Sequence, residues 1–324
     1  MTRPRVLVTR AWPADCEDRL GQLAEATFRH PDTPMTADDF MQAATRYDAI
    51  LPTVSDTIPA EFYAAAAGTV KVLANYGVGY NHIDIAAAQA AGIAVTNTPG
   101  VLTDCTADIA MGLLIAAARR IGEGERELRA GQWAGWRPTH MIGTKVTGAT
   151  LGIVGFGRIG QAMARRAYHG FGMKIVVYNR SPVDQDTLHT YRATQPDTLH
   201  EVAARSDILS LHCPGGAQTR HLIDAGVFAA MKPGAILVNT ARGDVVDEEA
   251  LFAALASGRL GGAGLDVYQN EPALDPRFLD YDTCVLAPHL GSATDATRAA
   301  MGHKAIDNLE ALLRGDTPPD PVTA

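Results

Sequence analysis

The sequence predicts an α/β protein with two doubly wound parallel-sheet domains. Short apolar runs alternate with longer amphipathic stretches along almost the whole chain, which is typical of parallel strands joined by crossover helices. The pattern breaks at Thr98-Pro99-Gly100 and starts again near residue 150. A length of 324 residues also suits about two domains. We therefore expect one α/β unit in roughly the first hundred residues and a second over residues 103–289.

The first unit is expected to have short apolar strands at residues 5–9, 49–52, 70–75 and 93–97. Helices are expected over residues 14–26 and, after the turn Tyr76-Gly77-Val78-Gly79, over residues 83–91. A long helical pattern then runs from Thr103 to about Leu128, with Thr103 as its candidate N-cap.

The strands expected in the second unit lie at residues 150–154, 174–178, 208–212, 235–239, 263–267 and 285–287. A last helix over residues 293–313 lies beyond the final strand, and Pro318, Pro319 and Pro321 are expected to end the fold. Because this helix could return to the first unit, we expect a discontinuous first domain of residues 1–102 and 290–324.

Composition excludes several functional classes. The chain carries 28 Lys+Arg against 36 Asp+Glu, a net charge of −8, with no basic block, so a nucleic-acid binder is not expected. No secretory signal opens the chain, and its longest apolar run, residues 109–118, is about half of a membrane span. Cys16, Cys105, Cys213 and Cys284 are far apart, which favours reduced cytoplasmic thiols over disulfides or a metal site.

A glycine-rich turn opens the second unit. The predicted strand Leu151-Gly152-Ile153-Val154 is followed by Gly-x-Gly-x-x-Gly and then by a helix. The first glycine permits the tight turn, the second lets the backbone approach a pyrophosphate, and the third lets helix pack on strand. The helix N-terminus adds N–H groups and a positive dipole end. The residues expected to bind a dinucleotide here are Gly155, Gly157, Arg158, Ile159 and Gly160.

The second strand of this unit lacks the acidic residue that usually binds the adenine ribose of NAD. Its end reads Val177-Tyr178-Asn179-Arg180-Ser181. Arg180 by charge, and Asn179 and Ser181 by hydrogen bonding, could instead bind a 2′-phosphate. We therefore expect NADP(H) to be preferred, with NAD(H) possible. The alternative is an Arg180 that is simply solvated in a loop.

Polar residues follow three further predicted strands, at the edge where α/β sheets bind ligands. They belong to Asn239-Thr240-Ala241-Arg242, to Asp266-Val267-Tyr268-Gln269-Asn270-Glu271 and to Pro288-His289-Leu290-Gly291. With the glycine-rich turn and the segments at residues 75–84, 97–103 and 210–214, these motifs resemble the D-isomer-specific 2-hydroxyacid dehydrogenase family over nearly the whole chain. Residues 289–294 and the Trp133/Trp136 segment most resemble its glyoxylate/hydroxypyruvate reductase branch.

The resemblance implies a fold and an assembly. Residues 103–289 would form a Rossmann cofactor domain, and the discontinuous domain would be a flavodoxin-like, substrate-binding domain. The substrate would lie in the cleft between them. The family also implies a homodimer built through the cofactor domain, with Trp136 reaching the partner's substrate pocket. Plain interface packing is the alternative role for Trp136.

The resemblance also implies catalytic roles. His289 matches the general acid, and Glu271 matches the carboxylate that orients and charges it. Arg242 matches the residue that binds the substrate carboxylate and polarises the carbonyl. The backbone N–H groups of Val78 and Gly79 match those that hold the other side of the carboxylate.

Asp266 matches the residue that binds the nicotinamide carboxamide. Other positions match those that line the cofactor: Thr106, Cys213, Pro214, Thr219, Thr240, Ala241 and Gly291. Residues 215–218, Gly-Gly-Ala-Gln, depart from the family's usual Leu/Thr/Pro-containing stretch beside the cofactor.

The expected function is NADP(H)-dependent reduction of a small 2-oxo acid, glyoxylate or hydroxypyruvate, to the D-2-hydroxy acid. One alternative is a reductase of a larger, phenylpyruvate-type 2-oxo acid. The other is a non-catalytic dinucleotide sensor similar to the family's corepressors.

Overall fold

The structure is a computed structural model that describes residues 3–323, and its chain forms two compact units. The first unit comprises the chain up to Leu102 and again from Ala293, and the second spans Thr103–Ser292. Within residues 3–323, no helix combines the length and the apolarity that a bilayer span requires.

The strands are β1 (Arg5–Val8), β2 (Glu25–Phe28), β3 (Ala49–Leu51), β4 (Val72–Ala74), β5 (Ala94–Thr96), β6 (Thr150–Val154), β7 (Lys174–Tyr178), β8 (Ile208–Leu211), β9 (Ala235–Asn239), β10 (Leu260–Leu265), β11 (Cys284–Leu286) and β12 (Pro321–Val322). The helices are α1 (Ala14–Leu23), α2 (Ala37–Ala44), α3 (Ala60–Ala66), α4 (Ile85–Ala90), α5 (Thr103–Ala118), α6 (Ile121–Arg129), α7 (Arg158–Phe171), α8 (Gln185–Thr190), α9 (Leu199–Arg205), α10 (Ala225–Ala230), α11 (Glu248–Ala256) and α12 (Asp295–Arg314).

The sheet of the first unit has the order β12-β5-β4-β3-β1-β2, and β1 to β5 are parallel. This is the flavodoxin-like order, in which the second strand lies outside the first. A core of buried side chains that includes Phe40, Phe62 and Leu73 packs against the sheet, and α12 packs on α1.

The sheet of the second unit has the order β11-β10-β9-β8-β6-β7, all parallel. A single parallel bridge between Val176 and Thr194 adds a short strand outside β7, which completes the order of a Rossmann sheet. Both faces of this sheet are covered by buried apolar side chains. The expected fold class, two doubly wound parallel sheets, is confirmed.

Strand register places the site at one edge of the second sheet. The last residues of its six strands are paired in one row: Tyr178, Val154, Leu211, Asn239, Leu265 and Leu286. The next residue of each strand therefore begins a loop at the same edge. The dinucleotide motif and the three polar motifs all lie in these loops.

Four expectations about the elements were wrong. The helix expected over residues 14–26 ends at Leu23, and Glu25 begins β2, an edge strand whose half-exposed residues form no apolar run. The long helix from Thr103 to Leu128 is broken at Arg120, which has φ +53° and bonds Glu123 through its side chain at 2.6 and 2.8 Å.

Thr103 is the first residue of α5 rather than the residue that caps it. The chain also does not end its fold at Pro318 and Pro319, because Pro321 and Val322 pair antiparallel with β5. Proline at 321 is compatible with this position, since β12 pairs on one side only.

A buried asparagine on α12 holds the C-terminal segment in the first unit. Asn308 is fully buried, and its Nδ2 donates to the carbonyl of Asn97 at 3.2 Å and to a carboxylate oxygen of Asp320 at 3.1 Å. Its Oδ1 accepts from the N–H of Asp320 at 2.8 Å. The amide thus joins α12, the end of β5 and the start of β12.

We expect Asn308→Ala to lower the free energy of unfolding by about 1–3 kcal/mol, because it leaves buried backbone and carboxylate groups without partners. Asp307→Ala on the same helix is the control, since Asp307 forms an exposed ion pair with Arg19 and such pairs contribute about 0–1 kcal/mol. Urea denaturation measures both. Equal losses in the two variants would contradict the role assigned to Asn308.

Candidate active site

The three glycines of the dinucleotide motif occupy three different environments. Gly155 has φ +90°, and an added Cβ would lie 2.5 Å from the backbone nitrogen of Cys213. A Cβ on Gly160 would lie 2.2 Å from the carbonyl oxygen of Gly155, so only glycine lets α7 pack on this turn. At Gly157, the N-cap of α7, a Cβ would meet nothing within 4 Å.

This turn fits the pyrophosphate of a nicotinamide dinucleotide. Arg158 and Ile159 begin α7, so their N–H groups are among those that an α-helix leaves without intrahelical partners. The open space at Gly157 gives an anion access to the helix N-terminus. Along the same edge, the hydroxyl of Thr240 is buried and has no hydrogen-bond partner within residues 3–323. A buried polar atom of this kind is expected to bond a ligand or a water.

The loop after β7 is built by two amide side chains. Asn179 accepts from the N–H of Phe156 at 3.2 Å and donates to the carbonyl of Ser181 at 3.0 Å. Gln195 accepts from the N–H of Val183 at 2.9 Å and donates to the same Ser181 carbonyl at 3.3 Å. Asn179 thus ties this loop to the glycine-rich turn. Sequence reasoning missed Gln195, whose position after a single-residue strand gives no pattern to read.

Arg180 and Ser181 are exposed in this loop. The guanidinium of Arg180 donates to the side-chain oxygen of Gln218, in the loop after β8.

The loop after β8 lies against the glycine-rich turn. Cys213 is buried there, and burial raises the pKa of its thiol to about 11, so its side chain is uncharged near pH 7. The hydroxyl of Thr219 donates to the carbonyl of Pro214 at 2.7 Å. His212 bonds the hydroxyl of Ser210 at 2.9 Å, and burial lowers the pKa of its imidazole to about 4, so it is neutral near pH 7.

The turn that carries Arg242 is held by Asn239, the last residue of β9. Its side chain donates to the carbonyl of Arg242 at 2.9 Å and accepts from the N–H of Ala241 at 3.0 Å. The guanidinium of Arg242 donates to the carbonyl of Ala241 at 2.7 Å. Burial lowers the pKa of Arg242, while the charges of Glu271 and Asp244 oppose that shift. An arginine remains protonated under these conditions.

The carboxylate of Asp266 accepts hydrogen bonds from the loop that carries His289. One carboxylate oxygen accepts from the N–H of Leu290 at 2.6 Å, and the other accepts from the N–H of Gly291 at 2.8 Å. The backbone carbonyl of Asp266 accepts from the N–H of His289 at 3.0 Å. Thr106 of α5 donates its hydroxyl to the carbonyl of Gly291 at 3.0 Å. Burial raises the pKa of Asp266, and the two N–H donors and the charge of His289 oppose the rise.

His289 and Glu271 form the titratable pair of the site. His289 has φ +55°, a left-handed backbone conformation that is uncommon for any residue but glycine. Its Nδ1 lies 2.8 Å from a carboxylate oxygen of Glu271, whose other oxygen accepts from the N–H of Tyr268 at 3.0 Å. Burial alone would raise the pKa of Glu271, but these bonds and the charges of His289 and Arg242 lower it overall. With Glu271 ionised and Nδ1 protonated, Nε2 of His289 can exchange a proton with a ligand.

The turn after β4, in the first unit, presents backbone N–H groups. Asn75 donates to the carbonyls of Gly77 and Gly79 at 2.9 and 3.0 Å, and Asn97 donates to the carbonyl of Val78 at 2.8 Å. Within the described chain, the N–H groups of Val78 and Gly79 donate to no protein acceptor. Two asparagine side chains therefore hold the carbonyl side of the turn.

Comparison with known proteins identifies the family. The model for the NAD binding domain of D-isomer specific 2-hydroxyacid dehydrogenases matches residues 111–291. The chain belongs to the D-isomer specific 2-hydroxyacid dehydrogenase family. It is therefore an NAD(P)-dependent oxidoreductase, as the sequence predicted.

Two curated relatives show how far the likeness extends in this dehydrogenase. The chain is 42% identical over 322 residues to glyoxylate reductase from Korarchaeum cryptofilum (strain OPF8), which covers 99% of this chain and 96% of that protein. It is 38% identical over 315 residues to glycerate dehydrogenase from Hyphomicrobium methylovorum, covering 97% of this chain and 98% of that one.

A solved structure agrees over both units of this dehydrogenase. NADPH-dependent glyoxylate/hydroxypyruvate reductase from Sinorhizobium meliloti, determined with NADP and malonate, is 35% identical and has a TM-score of 0.86. The match covers 99% of this chain and 97% of that chain.

We expect Gly157→Ala and Gly160→Ala to fail in different ways. The Cβ of Gly160→Ala would overlap the Gly155 carbonyl, so this variant should lose thermal stability. Gly157→Ala should keep the wild-type melting temperature, because its Cβ enters open space, and should bind NADPH and NADH at least about tenfold more weakly. Thermal denaturation and fluorescence titration separate the two effects. Wild-type dinucleotide affinity in Gly157→Ala would contradict a pyrophosphate at this turn.

Proposed function

We propose that this dehydrogenase reduces a small 2-oxo acid, glyoxylate or hydroxypyruvate, to the D-2-hydroxy acid with NADPH. The observation that carries the proposal is the contact of 2.8 Å between Nδ1 of His289 and Glu271. His289 can thus act as a proton donor beside the carboxylate of Glu271, and the charge of that carboxylate also acts on Arg242. The names of the glyoxylate reductase and glycerate dehydrogenase relatives support a small substrate.

Arg242 and the turn at Val78 and Gly79 would bind the substrate. A guanidinium binds a carboxylate through two parallel N–H groups, and it also stabilises negative charge that develops on the carbonyl oxygen. The backbone of Gly215 lies close to the stem of Arg242, since a Cβ on Gly215 would lie 2.8 Å from its Cγ. The N–H groups of Val78 and Gly79 suit a substrate carboxylate because no protein acceptor in the described chain uses them.

His289 would deliver the proton. The bound nicotinamide supplies the hydride. As charge develops on the carbonyl oxygen, His289 donates its Nε2 proton there, and Glu271 stabilises the imidazolium that must be present beforehand. Asp266 keeps the His289 loop in place through the N–H groups of Leu290 and Gly291.

The cofactor would lie along the carboxyl edge of the second sheet. Gly155, Gly157, Arg158, Ile159 and Gly160 would hold its pyrophosphate. Towards the nicotinamide we assign Thr240, whose hydroxyl has no protein partner in the described chain, and Asp266, whose oxygens keep further lone pairs. The remaining lining positions would be Thr106, Cys213, Pro214, Thr219, Ala241 and Gly291.

NADP(H) preference is proposed from the loop after β7. It carries no acid at residues 179–181, and Arg180 and Ser181 are exposed there. Asn179 would act indirectly, by holding the loop. The NADPH-dependent relative from Sinorhizobium meliloti supports this choice. The cysteines of the described chain form no disulfide, and this supports a reducing, cytoplasmic location.

We also propose a homodimer formed through α6 and the segment after it. Monomeric proteins seldom leave several large apolar side chains exposed together. Five exposed large apolar residues of the described chain fall in this short stretch: Ile121, Leu128, Trp133, Trp136 and Ile142. Trp136 is the most exposed, at 82%.

NADPH oxidation followed at 340 nm, with glyoxylate, hydroxypyruvate and phenylpyruvate, tests the proposed function. We expect the highest kcat/KM with the two small acids, and a higher kcat/KM with NADPH than with NADH. Faster turnover of phenylpyruvate would favour the larger-substrate alternative. No turnover with any 2-oxo acid would favour the dinucleotide sensor.

Variants of the proton donor and the carboxylate site should separate kcat from KM. His289→Asn and Glu271→Gln should each lower kcat about 10²–10⁴-fold with little loss of NADPH affinity. Asparagine is chosen at residue 289 because it tolerates a left-handed backbone. Arg242→Ala should also raise KM steeply, because ground-state carboxylate binding is lost. A kcat/KM within a few-fold of wild type in Arg242→Ala would show that its assigned role is wrong.

Trp136→Glu should shift the protein towards monomer in analytical ultracentrifugation, because it adds a charge to a buried apolar interface. Leu279→Glu is the control, since Leu279 is 71% exposed outside this stretch and should stay dimeric. If the Trp136→Phe variant stays dimeric but has a higher KM, the indole of Trp136 would be assigned to the substrate pocket of the partner subunit. A wild-type monomer would contradict the proposal.

A further inference from the structure

A side-chain contact joins two loops at the carboxyl edge of the second sheet. Nη1 of Arg180, after β7, donates a hydrogen bond to Oε1 of Gln218, after β8. The two strands lie on either side of β6, whose own loop is the glycine-rich turn. Gln218 lies in the short loop after β8 that also carries Gly215 and Gly216. Neither the fold nor the catalytic roles above make use of it.

The loops are held without this contact. Asn179 and Gln195 fix the Arg180 loop through four hydrogen bonds of 2.9–3.3 Å. In the Gln218 loop, the backbone N–H groups of Thr219 and Arg220 both donate to the carbonyl of Gly216 at 3.0 Å. The contact between Arg180 and Gln218 therefore sets where a charged side chain points, rather than where the loops run.

The charge of Arg180 has no carboxylate partner. Several arginines of this unit are paired with carboxylates, as Arg166 is with Asp104 and Asp108 at 3.1 and 2.7 Å. Within residues 3–323, no carboxylate oxygen lies within 4.0 Å of the Arg180 guanidinium. Gln218 accepts a hydrogen bond but carries no charge. The full positive charge of Arg180 is thus oriented and left available to an anion.

We propose that Gln218 is a specificity-determining residue that orients Arg180 towards the 2′-phosphate of NADP(H) without neutralising it. The inference rests on the proposed preference for NADP(H). A neutral amide is a partner that a phosphate can replace, because a phosphate adds the attraction of its negative charge and can accept two parallel N–H groups of an arginine. A carboxylate at residue 218 would instead compete with the phosphate and repel it.

Dissociation constants for NADPH and NADH, measured by fluorescence titration, test this role. In Gln218→Glu we expect NADPH to bind at least about tenfold more weakly, with NADH changed by less than about twofold. Gln218→Ala keeps the charge of Arg180 and loses only its orientation, so its NADPH affinity should fall by only about two- to fivefold. Gln22→Glu on α1 adds the same charge at an exposed site in the first unit and should leave both constants unchanged.

Arg180→Ala separates this inference from the proposed cofactor preference. It should weaken NADPH and not NADH. Added to Arg180→Ala, Gln218→Glu should have less than about a threefold further effect on NADPH, because its target is gone.

Three results would overturn the inference. Equal weakening of both cofactors in Gln218→Glu would mean that the loop has been disturbed. Wild-type NADPH affinity in Gln218→Glu, with weak NADPH binding in Arg180→Ala, would refute the role of Gln218 and leave the proposed preference for NADP(H) intact. Wild-type NADPH affinity in Arg180→Ala would remove the preference itself, and the role of Gln218 with it.

Discussion

The geometry of the proposed catalytic pair depends on one carboxylate, that of Asp266. The chain after β11 must turn back so that His289 meets Glu271, and it does so with His289 at φ +55°. A left-handed conformation of this kind costs about 1–3 kcal/mol and persists only where the surroundings enforce it. Asp266 enforces it by accepting the next two N–H groups, and Thr106 holds the carbonyl that follows them. His289, the proposed general acid, is therefore held through the backbone of its own loop.

The loops that carry Arg242 and Glu271 lie so close together that no side chain fits between them at Gly243. A Cβ on Gly243 would lie 1.9 Å from the carbonyl carbon of Tyr268, so the two loops touch through backbone alone. Glu271 bonds the N–H of the same Tyr268 at 3.0 Å. The next peptide, at Gln269, donates to Glu248 at 2.8 Å. Arg242 and Glu271 consequently belong to one connected arrangement, which suits the proposal that both act on a single substrate.

Much of this could be predicted from sequence, because strand ends and glycine spacing are local signals. The glycine motif was found from the spacing of Gly155, Gly157 and Gly160, and the family from motifs at the strand ends. What escaped prediction depends on contacts distant in sequence. β12 forms only because β5 offers a free edge, and Asn308 holds it there. The roles of the Asn239 and Gln195 amides could not be predicted either, since an amide side chain that holds a turn looks the same in sequence as one exposed in a loop.

Charge distribution explains how a protein with a net charge of −8 can be suited to anions. The field of the whole molecule opposes an anionic ligand, so attraction must come from cations whose charge is not already compensated. Arg19, Arg166 and Arg277 are each paired with carboxylates. In the described chain, Arg180 and Arg242 have no carboxylate oxygen within 4.0 Å, and both donate to neutral oxygens instead, those of Gln218 and Ala241. A neutral partner fixes a guanidinium without cancelling its charge, and this suits Arg180 and Arg242 to the anion-binding roles proposed for them.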